Sequence, residues 1–568
     1  MCGIAGIYGK GNIKQMTDAL IHRGPDGEGF YNNQTVSLGV RRLEIIAIET
    51  GNQPIYNEDR TQAIIFNGEI YNYNALRKTL KNKGHLFSTL SDTEIIIHAY
   101  EEWDVDCLSH LNGIFAFAIY NKNTKKLFIA RDRLGVKPLY WSFVNNNLYF
   151  ASEIKAILTQ YKSSPELTED FFCFETPLFG KTLFKNINSL LPAHYLIFDG
   201  TQIKIKRYWE INIDERYAKR DLSELSDELQ ELITDSVTLQ NHAEVPIGVF
   251  ISGGLDSTLL TYLSGQKKLF TCSYQTDSVF DEYKYAAFIA KETNAELHTI
   301  TPTAKEFEAE FKNIIYHLDH PIATASSFSE FMLAKKARGL VKVVLGGQGA
   351  DELFAGYARY LIYLAKNPLK IKWLKDYSAL INFYSKKEQN LTPVEKYFYL
   401  IKRGPFPECI NHLKPFFQDS VSALNSICLS DIALSLPSLL TMNDRAASAY
   451  GLENRTPFLD HRIVEFAFNI PDNFKINRNT TKFILKQASK NLIPKRIINR
   501  KDKKGLVTPV NIWLNNELKS WKNNLISKIK KRGFKIDLNN SRGLFDRNLY
   551  NLISLEMWFE NFFPDYER

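Results

Sequence analysis

The residues best suited to chemistry lie in a short loop, Ser252–Ser257, whose sequence is Ser-Gly-Gly-Leu-Asp-Ser. The apolar run Val245–Ile251 predicts a buried strand, and the spacing from Leu255 onward predicts a helix. Two glycines let backbone N–H groups approach an anion, and a helix N-terminus adds about half a positive charge. Asp256 would repel a bare phosphate, so it indicates Mg²⁺ on a pyrophosphate group. Two glycines alone would suit an ordinary turn, but the whole hexapeptide favours a phosphate site.

A second glycine-rich turn, Gly346–Tyr357, follows a predicted strand at 341–345 and opens a helix. It carries an acid of its own, Asp351. Because the carboxyl ends of parallel strands meet at one edge of a sheet, Asp256 and Asp351 could bracket one magnesium pyrophosphate group. Alone, this sequence would be equally compatible with a tight turn, whereas the pair of loops favours a nucleotide site.

The first loop resembles the pyrophosphate loop of the ATP pyrophosphatases, which cleave ATP between the α- and β-phosphates. The resemblance implies that Asp256 and Asp351 bind Mg²⁺. It also implies that ATP is bound by Ile251, Ser252, Gly253, Gly254, Leu255, Asp256, Ser257, Tyr274, Gly346 and Gly347. Many members of the family have Glu at the position of Gln348, and glutamine cannot carry out the acid–base work assigned to that glutamate.

Cys2 is a second candidate for chemistry, because Met1 precedes a small residue and its removal would leave cysteine at the N-terminus. An α-amine has an ordinary pKa of about 7.7–8.0, so it can act as the general base for its own thiol at neutral pH. No catalytic histidine is then needed. Without further motifs, Cys2 would be better explained as an inert residue.

The motifs that follow are Cys2–Gly6, His22–Gly29, Arg42–Leu43, Asn67–Asn72, Ser91–Glu94 and Ala130–Tyr140. In this order they resemble the glutaminase domain of class II glutamine amidotransferases, which has the N-terminal-nucleophile fold. With the pyrophosphate loop downstream, the whole chain resembles the glutamine-hydrolysing asparagine synthetases.

This resemblance implies a role for each matching residue of the N-terminal motifs. Cys2 attacks the side-chain amide of glutamine, and Asn67 and Gly68 form an oxyanion hole, whose donors typically contribute a few kcal/mol each. The residues that would hold glutamine are Arg42 on the α-carboxylate, Asn67 and Gly68 on the amide, and Glu69 and Asp92 on the ammonium group.

Two further stretches, His320–Phe328 and Asp444–Asp460, resemble the site for the acid that receives the nitrogen. The acceptor residues implied are Ser326, Ser327, Arg445, Glu453 and Arg455. Of these, Arg445 or Arg455 is expected to hold the α-carboxylate. The first stretch departs from the Thr-Thr-x-Arg of the best-known members.

Lys503 matches the lysine of the family that stabilises the transition state of adenylation. The neighbouring Lys501 and Lys504 leave the register of this match open. A solvated basic loop is the alternative interpretation of the same residues.

The composition limits the class of protein. A chain of 568 residues, 44% hydrophobic and 24% charged, predicts a globular protein of roughly two to four domains. A net charge of +8 is better explained by a solvated basic surface than by affinity for nucleic acid or membranes. Six scattered cysteines without CxxC or Cys/His ligand spacing argue against a disulfide framework and a zinc site, and favour the cytoplasm. We expect no signal peptide, and no membrane span of about 18 apolar residues.

The pattern changes along the chain. Short alternating apolar segments and turn signals predict antiparallel sheets with a few helices over residues 1–209, which the resemblance identifies as an α+β N-terminal-nucleophile sandwich. The polar stretch 210–222 is predicted to be a linker. Over residues 223–568, alternating strands and helices indicate an α/β doubly wound parallel sheet with a helical C-terminal part.

The sequence therefore predicts a ligase that amidates aspartate to asparagine through β-aspartyl-AMP, with glutamine as nitrogen donor and ATP as energy source. The alternative is the same chemistry on another carboxylic acid, such as a sugar acid or a peptide intermediate. A third possibility is a glutaminase or nucleotide-binding regulator with a lapsed synthetase site, against which Asp256, Asp351 and the lysine cluster argue. A homodimer is compatible with the resemblance.

We expect Cys2→Ala to abolish glutamine-dependent amide synthesis while synthesis from free ammonia continues, because the nucleophile and the pyrophosphate loop belong to separate predicted domains. Pyrophosphate release with each nitrogen donor measures the two rates. Glutamine-dependent synthesis at the wild-type rate in Cys2→Ala would contradict the assignment of Cys2. Mass spectrometry of the active protein should show that Met1 has been removed.

Overall fold

The protein is described here by a computed structural model. It describes residues 1–214, 216–274, 281–321, 324–365, 381, 391–404, 406–503, 508–534 and 547–567. The predicted candidate Lys504 lies outside the described residues.

Two antiparallel sheets form the N-terminal part of the chain. Their strands are β1 (Gly3–Tyr8), β2 (Gly27–Asn32), β3 (Val36–Arg42), β4 (Ile55–Tyr56), β5 (Gln62–Ile70), β6 (Gly113–Asn121), β7 (Lys126–Arg131), β8 (Tyr140–Val144), β9 (Asn147–Ala151), β10 (Asn188–Ser189), β11 (His194–Phe198) and β12 (Ile203–Arg207). The strand orders are β10-β8-β9-β1-β3-β2 and β12-β11-β7-β6-β5-β4. The helices here are Ile13–Asp18, Tyr73–Asn82, Asp92–Trp103, Cys107–His110, Ile154–Leu158 and Glu169–Phe174.

Alternate residues of β6 show how these layers pack. Phe115 and Phe117 pack against helix Asp92–Trp103, whereas Ala116 and Ala118 pack against β1 and β3 of the other sheet. Successive strand residues point to opposite faces, so the large side chains fill the layer under the helices and the small ones let the sheets approach. The predicted α+β sandwich is confirmed.

A parallel five-stranded sheet organises the second part of the described chain. Its strands are β13 (Ile247–Phe250), β14 (Lys268–Cys272), β15 (Glu296–Ile300), β16 (Val343–Leu345) and β17 (Glu453–Arg455), in the order β15-β14-β13-β16-β17. Val249 and Leu345 pack on one face of the sheet, and Phe270 and Val344 pack on the other. Helices cover both faces, which confirms the doubly wound sheet. The strand order reverses between β13 and β16, so the loops after these two strands adjoin.

The helices of this second part frame the sheet and extend beyond it. They are Leu222–Gln240, Leu255–Ser264, Tyr283–Glu292, Ala304–Leu318, Ser326–Ala337, Ala350–Leu353, Ala358–Leu364, Pro393–Ile401, Ala423–Leu434, Leu436–Ser448, His461–Asn469, Asp472–Lys475, Phe483–Ala488, Lys495–Ile498, Val510–Asn515, Lys519–Lys531 and Arg547–Phe562. Short 3₁₀ helices lie at Asp104–Asp106, Pro407–His412, Lys414–Phe416 and Pro457–Leu459.

Strand β17 was not predicted, because its sequence Glu-Asn-Arg has no apolar residue. All three side chains are nevertheless buried. Their polar groups therefore need partners inside the protein, and the charges of Glu453 and Arg455 are paired there.

One stretch of the described chain, Ala423–Ser448, is long and apolar enough to cross a membrane by length and composition alone, although we expected no such run. It consists of two helices that meet at Ser435, and 56% of its most apolar part is buried inside the fold. The two helices also carry the buried charged residues Asp431, Asp444 and Arg445. The stretch therefore packs as part of the protein core.

Candidate functional site

A cavity of about 490 Å³ opens at the carboxyl ends of β13 and β16. The loops after both strands line it, with side chains that include Ser252, Asp256 and Asp351. The two loops lie close together. A Cβ atom added to Gly347 would be only 3.0 Å from the Cβ of Asp256. The reversal of strand order thus places the two predicted nucleotide loops in one site.

The loop after β13 is shaped for close approach to an anion. Gly253 has a φ of +64°, in the left-handed region, and a Cβ there would lie 2.3 Å from the Cβ of Tyr285. Helix Leu255–Ser264 begins directly after the two glycines, so its first N–H groups and its dipole face the loop. Ser257 Oγ accepts a hydrogen bond of 3.3 Å from the backbone N–H of Ser252.

Two lysines pair with Asp256 and Asp351, two of the acidic side chains that line the cavity. Lys482 Nζ lies 2.7 Å from Asp256 Oδ1 and 2.7 Å from Asp351 Oδ1. Lys503 Nζ lies 3.2 Å from Asp256 Oδ2 and 3.9 Å from Asp351 Oδ2. Burial acts to raise the pKa of Asp351, but both lysines lower it, to about 2. Lys503 therefore meets both acids.

Sequence analysis missed Lys482. This lysine is 226 positions from Asp256 and follows Asn-Thr-Thr, without a glycine-rich motif to mark it. Its φ of +52° lies in the left-handed region, just before helix Phe483–Ala488. Such a conformation costs a non-glycine residue on the order of 1 kcal/mol and is concentrated at functional sites. Only the fold brings this residue to the two acids that line the cavity, and no local sequence signal marks it.

The donor set fits Mg²⁺ on a polyphosphate. Asp256 and Asp351 supply the carboxylate oxygens that Mg²⁺ prefers, and both already lie within 2.7 Å of one cationic nitrogen, Lys482 Nζ. The same two acids can therefore reach one metal ion. The positive charges of Lys482 and Lys503 would then be available to phosphate oxygens.

The other predicted ATP residues differ in their access to the cavity. Ile251, Ser257, Gly346 and Gly347 line it, whereas Gly253, Gly254 and Leu255 form the loop behind the lining. The Tyr274 hydroxyl contacts Ser329 and lies 3.3 Å from Thr508 Oγ1, in a buried cluster of hydroxyl groups. Gln348 also lines the cavity.

The predicted acceptor residues divide into two groups. Ser326 lines the cavity, and Ser327 forms a 2.9 Å hydrogen bond with the hydroxyl of Tyr550, which also lines it. The described lining does not include Arg445, Glu453 or Arg455. The reason is that these charged side chains are buried in ion pairs at the boundary between the N-terminal sheets and the rest of the protein.

Arg445 belongs to a fully buried ion network at this boundary. Its guanidinium pairs with Glu153 and lies 3.1 Å from Asp319. Arg23 Nη1 lies 2.8 Å from both Glu153 Oε1 and Asp444 Oδ2. Neither arginine has any exposed surface. The network therefore joins residues of the N-terminal part directly to the helices of the second part.

Arg455 forms a second link across the same boundary. Its Nη2 lies 3.0 Å from Glu69 Oε2, and its Nε donates to Glu453 Oε1 at 2.8 Å. Burial acts to raise the pKa of Glu453, but Lys137 and Arg455 lower it, to about 2. Arg455 therefore contacts the predicted glutamine site and is not part of the described lining of the cavity at β13 and β16.

Three charged side chains that sequence analysis missed line the cavity, Glu330, Glu352 and Arg547. Glu330 accepts a hydrogen bond from Asn443, and burial raises its pKa to about 8. Arg547 Nη2 lies 3.2 Å from Glu175 Oε2, and 42% of its side chain is exposed. In sequence, an isolated acid within helix Ser326–Ala337 is no different from a residue on a solvated face, so nothing marks Glu330.

The predicted oxyanion hole lies on β5. Asn67 is fully buried, and neither atom of its side-chain amide has a hydrogen-bond partner among the described residues. Gly68 has a φ of +154°, and a Cβ there would lie 2.0 Å from the carbonyl oxygen of Ile114. A buried amide without partners costs about 1–3 kcal/mol. Asn67 is therefore suited to donate to a ligand.

The other predicted glutamine residues surround this strand. Cys2 Sγ lies 3.9 Å from the carbonyl oxygen of Leu43, and burial raises the pKa of the thiol. The guanidinium of Arg42 donates hydrogen bonds to carbonyl and amide oxygens, among them the carbonyl oxygen of Ala47 at 2.8 Å. Burial raises the pKa of Glu69 well above its ordinary value and that of Asp92 to about 6.

Two family models match most of the chain. The chain matches the glutamine amidotransferase domain over residues 1–209 and asparagine synthase over residues 228–559. The chain belongs to the glutamine-hydrolysing asparagine synthetase family. It is a ligase that forms an amide with glutamine and ATP as substrates. The two matched regions are called the glutaminase half and the synthetase half below.

Relatives match along nearly the whole chain. The enzyme is 33% identical to asparagine synthetase [glutamine-hydrolyzing] 1 of Bacillus subtilis (strain 168), across 93% of this chain and 90% of that protein. It is 31% identical to asparagine synthetase 3 of the same organism, across 88% of this chain and 86% of that protein. A solved structure of an allosteric regulatory enzyme of purine biosynthesis matches 53% of this chain and 80% of that chain, at 16% identity and a TM-score of 0.31.

We expect Lys482→Ala to lower ATP-dependent amide synthesis by roughly 100- to 1,000-fold, because the cavity loses a cation close to where phosphate charge develops. Glutamine hydrolysis without ATP should continue, since the glutaminase half is unchanged. Lys490→Ala removes an exposed lysine nearby in sequence and is the matched control. Synthesis at the control rate in Lys482→Ala would exclude this lysine from the reaction.

Proposed function

We propose that the enzyme converts aspartate to asparagine through a β-aspartyl-AMP intermediate. The observation that carries the proposal is that one cavity brings the pyrophosphate loops together with a carboxylate, Glu330, and a guanidinium, Arg547. Aspartate needs such a pair, with an acid for its ammonium group and a cation for its α-carboxylate. Its β-carboxylate is then left to react with ATP.

The first reaction of the proposal releases ammonia in the glutaminase half. Cys2 attacks the side-chain amide of glutamine, and the Asn67 amide and the Gly68 N–H stabilise the oxygen that becomes negative. Because burial raises the pKa of the Cys2 thiol, a base is needed, and the α-amine freed by removal of Met1 would serve. Arg42 would hold the α-carboxylate of glutamine, and Glu69 and Asp92 its ammonium group.

The second reaction activates the acceptor in the synthetase half. An oxygen of the β-carboxylate attacks the α-phosphorus of ATP, and pyrophosphate leaves. Asp256 and Asp351 would hold Mg²⁺, which neutralises polyphosphate charge when bound. Lys482 and Lys503 would stabilise the charge that accumulates on the α-phosphate and pyrophosphate. Ammonia then attacks the acyl carbon, and AMP leaves as the amide forms.

We expect the affinity for glutamine to fall as the pH drops below about 6, because protonated Asp92 no longer attracts the ammonium group. The dissociation constant should be measured in Cys2→Ala, where hydrolysis cannot interfere. Adding Asp92→Asn should weaken binding at pH 8 and remove the part of the pH dependence near pH 6 that comes from Asp92, while the part that comes from Glu69 remains. Asp104→Asn, at an exposed position just beyond the same helix, is the control. An unchanged pH profile in the Asp92→Asn protein would contradict this role.

We expect Glu330→Gln to raise the KM for aspartate by roughly 10- to 100-fold and to leave the KM for ATP nearly unchanged, because a charge-assisted contact is worth about 1.5–3 kcal/mol. In the wild-type enzyme, the KM for aspartate should fall between pH 7 and 9 as Glu330 ionises, and Glu330→Gln should lose that trend. Glu308→Gln, at an exposed position on another helix, is the control.

Pyrophosphate release with a panel of acids tests the acceptor itself. Saturable release with aspartate supports the proposal, whereas release that needs a sugar acid or a peptide acid would replace aspartate by the alternative acceptor. The amidation chemistry would stand in both cases. We place the reaction in the cytoplasm, where ATP and glutamine are available. A homodimer remains a prediction.

A further inference from the structure

Four side chains of the glutaminase half converge in a cluster that none of the reactions above uses. Glu58 lies on the turn between β4 and β5, His85 follows helix Tyr73–Asn82, and His98 and Glu101 lie on helix Asp92–Trp103. One potential ligand atom from each side chain lies within 4.8 Å of all the others. His98 is fully buried, and the side chain of His85 is 14% exposed.

The spacing of these atoms fits a small tetrahedral ion. His98 Nδ1 lies 3.0 Å from Glu101 Oε2 and 3.4 Å from Glu58 Oε2. His85 Nδ1 lies 3.2 Å from Glu58 Oε1 and 4.0 Å from Glu101 Oε2. Ligands bound to zinc at about 2.0–2.1 Å in tetrahedral geometry are separated by about 3.3–3.4 Å. The observed distances bracket that separation.

The second ring nitrogen of each histidine faces another acid. Histidines that bind metals usually direct their other ring nitrogen at a carboxylate, which fixes the tautomer and orients the ring. His98 Nε2 lies 3.7 Å from Glu94 Oε1, and His85 Nε2 lies 3.6 Å from Glu102 Oε2. Both distances are longer than a hydrogen bond, and His98 Nε2 has no hydrogen-bond partner among the described residues, so each ring faces its second acid without bonding to it.

The candidate ligand Glu101 is held in place by a hydrogen bond from outside the cluster. Its second oxygen, Oε1, accepts a hydrogen bond of 2.6 Å from the side-chain amide of Asn57. This bond fixes the carboxylate and leaves Oε2 directed at the histidines. Glu94, behind His98, is itself held by the backbone N–H groups of Ser88 and Thr89, each at 2.7 Å.

We propose that Glu58, His85, His98 and Glu101 form a structural binding site for one divalent transition metal, with zinc as the best fit. Two imidazole nitrogens and two carboxylate oxygens in a closed tetrahedral set are typical zinc ligands. The ion would connect three segments of the glutaminase half. One of them is the helix that starts at Asp92, so the metal would fix the element that carries a proposed glutamine contact.

A cluster of hydrogen bonds with protonated histidines is the competing explanation. Without a metal, the nearby carboxylates of Glu94, Glu101 and Glu58 favour the protonated form of His98. One divalent ion carries the same charge as two protons, one on each histidine ring. Exchange of two protons for one metal ion therefore leaves the net charge of the cluster unchanged.

The test uses the full chain, stripped of metal with a chelator and titrated with zinc chloride. We expect one zinc ion per chain by calorimetry and elemental analysis, a rise in Tm on binding, and an absorption spectrum typical of tetrahedral cobalt when Co²⁺ replaces zinc. Both His85→Ala and Glu58→Gln should weaken zinc binding by at least 10-fold and lose the rise in Tm. Two single variants are used so that a folding defect in one leaves the other informative.

Two control variants separate this site from other binding. His110→Ala removes an exposed histidine outside the cluster and should bind zinc like the wild type. His412→Ala disrupts the other described group of potential ligands, Asp170, Cys409 and His412. Zinc binding that is lost in His412→Ala but kept in His85→Ala would overturn the proposal. So would the absence of saturable zinc binding by the wild-type chain at pH 7.5.

Discussion

Charged side chains without access to water hold the two halves of this enzyme together. Arg23 and Arg445 have no exposed surface, and both pair with Glu153. Removing a charge from water costs several kcal/mol, which is offset only where an oppositely charged partner is close and well oriented. The two halves can therefore dock in few ways, because a small rotation would leave these buried charges without partners. The predicted glutamine site depends on that fixed orientation, because Arg455 of the synthetase half contacts Glu69 there.

The same boundary gives the two active sites a direct physical connection. Glu69, a proposed ligand of the glutamine ammonium group, already pairs with Arg455 of the synthetase half. Arg455 ends β17, which pairs with β16, and the loop after β16 carries Asp351. An ammonium group that approaches Glu69 would compete with Arg455 for its charge. The predicted glutamine site and the strand beside the nucleotide loop are therefore linked by two contacts, the ion pair of Glu69 with Arg455 and the pairing of β17 with β16.

The features that could be predicted from the sequence are those that a short stretch of residues encodes. Each pyrophosphate loop follows a short apolar strand and opens a helix, so the relation between Asp256 and Asp351 could be inferred from two separate motifs. Lys482 could not, because only the fold brings it near those acids. The charges of Arg445 and Arg455 suited an amino-acid substrate, but a sequence does not reveal which carboxylate an arginine meets. The structure places both in ion pairs within the protein. Glu330 was not predicted, because its burial, which raises its pKa, is a property of the fold and not of the local sequence.

The shared ion network also limits how this enzyme can evolve. The two halves carry out separable reactions, so they would seem free to recombine with counterparts from other proteins. A foreign glutaminase half, however, would have to present an arginine to Asp444 and a carboxylate to Arg445 at matching positions. A mismatch would leave charges buried without partners, at a cost of about 3–5 kcal/mol for each broken pair. Exchange of one half therefore requires matching charges on both sides of the boundary.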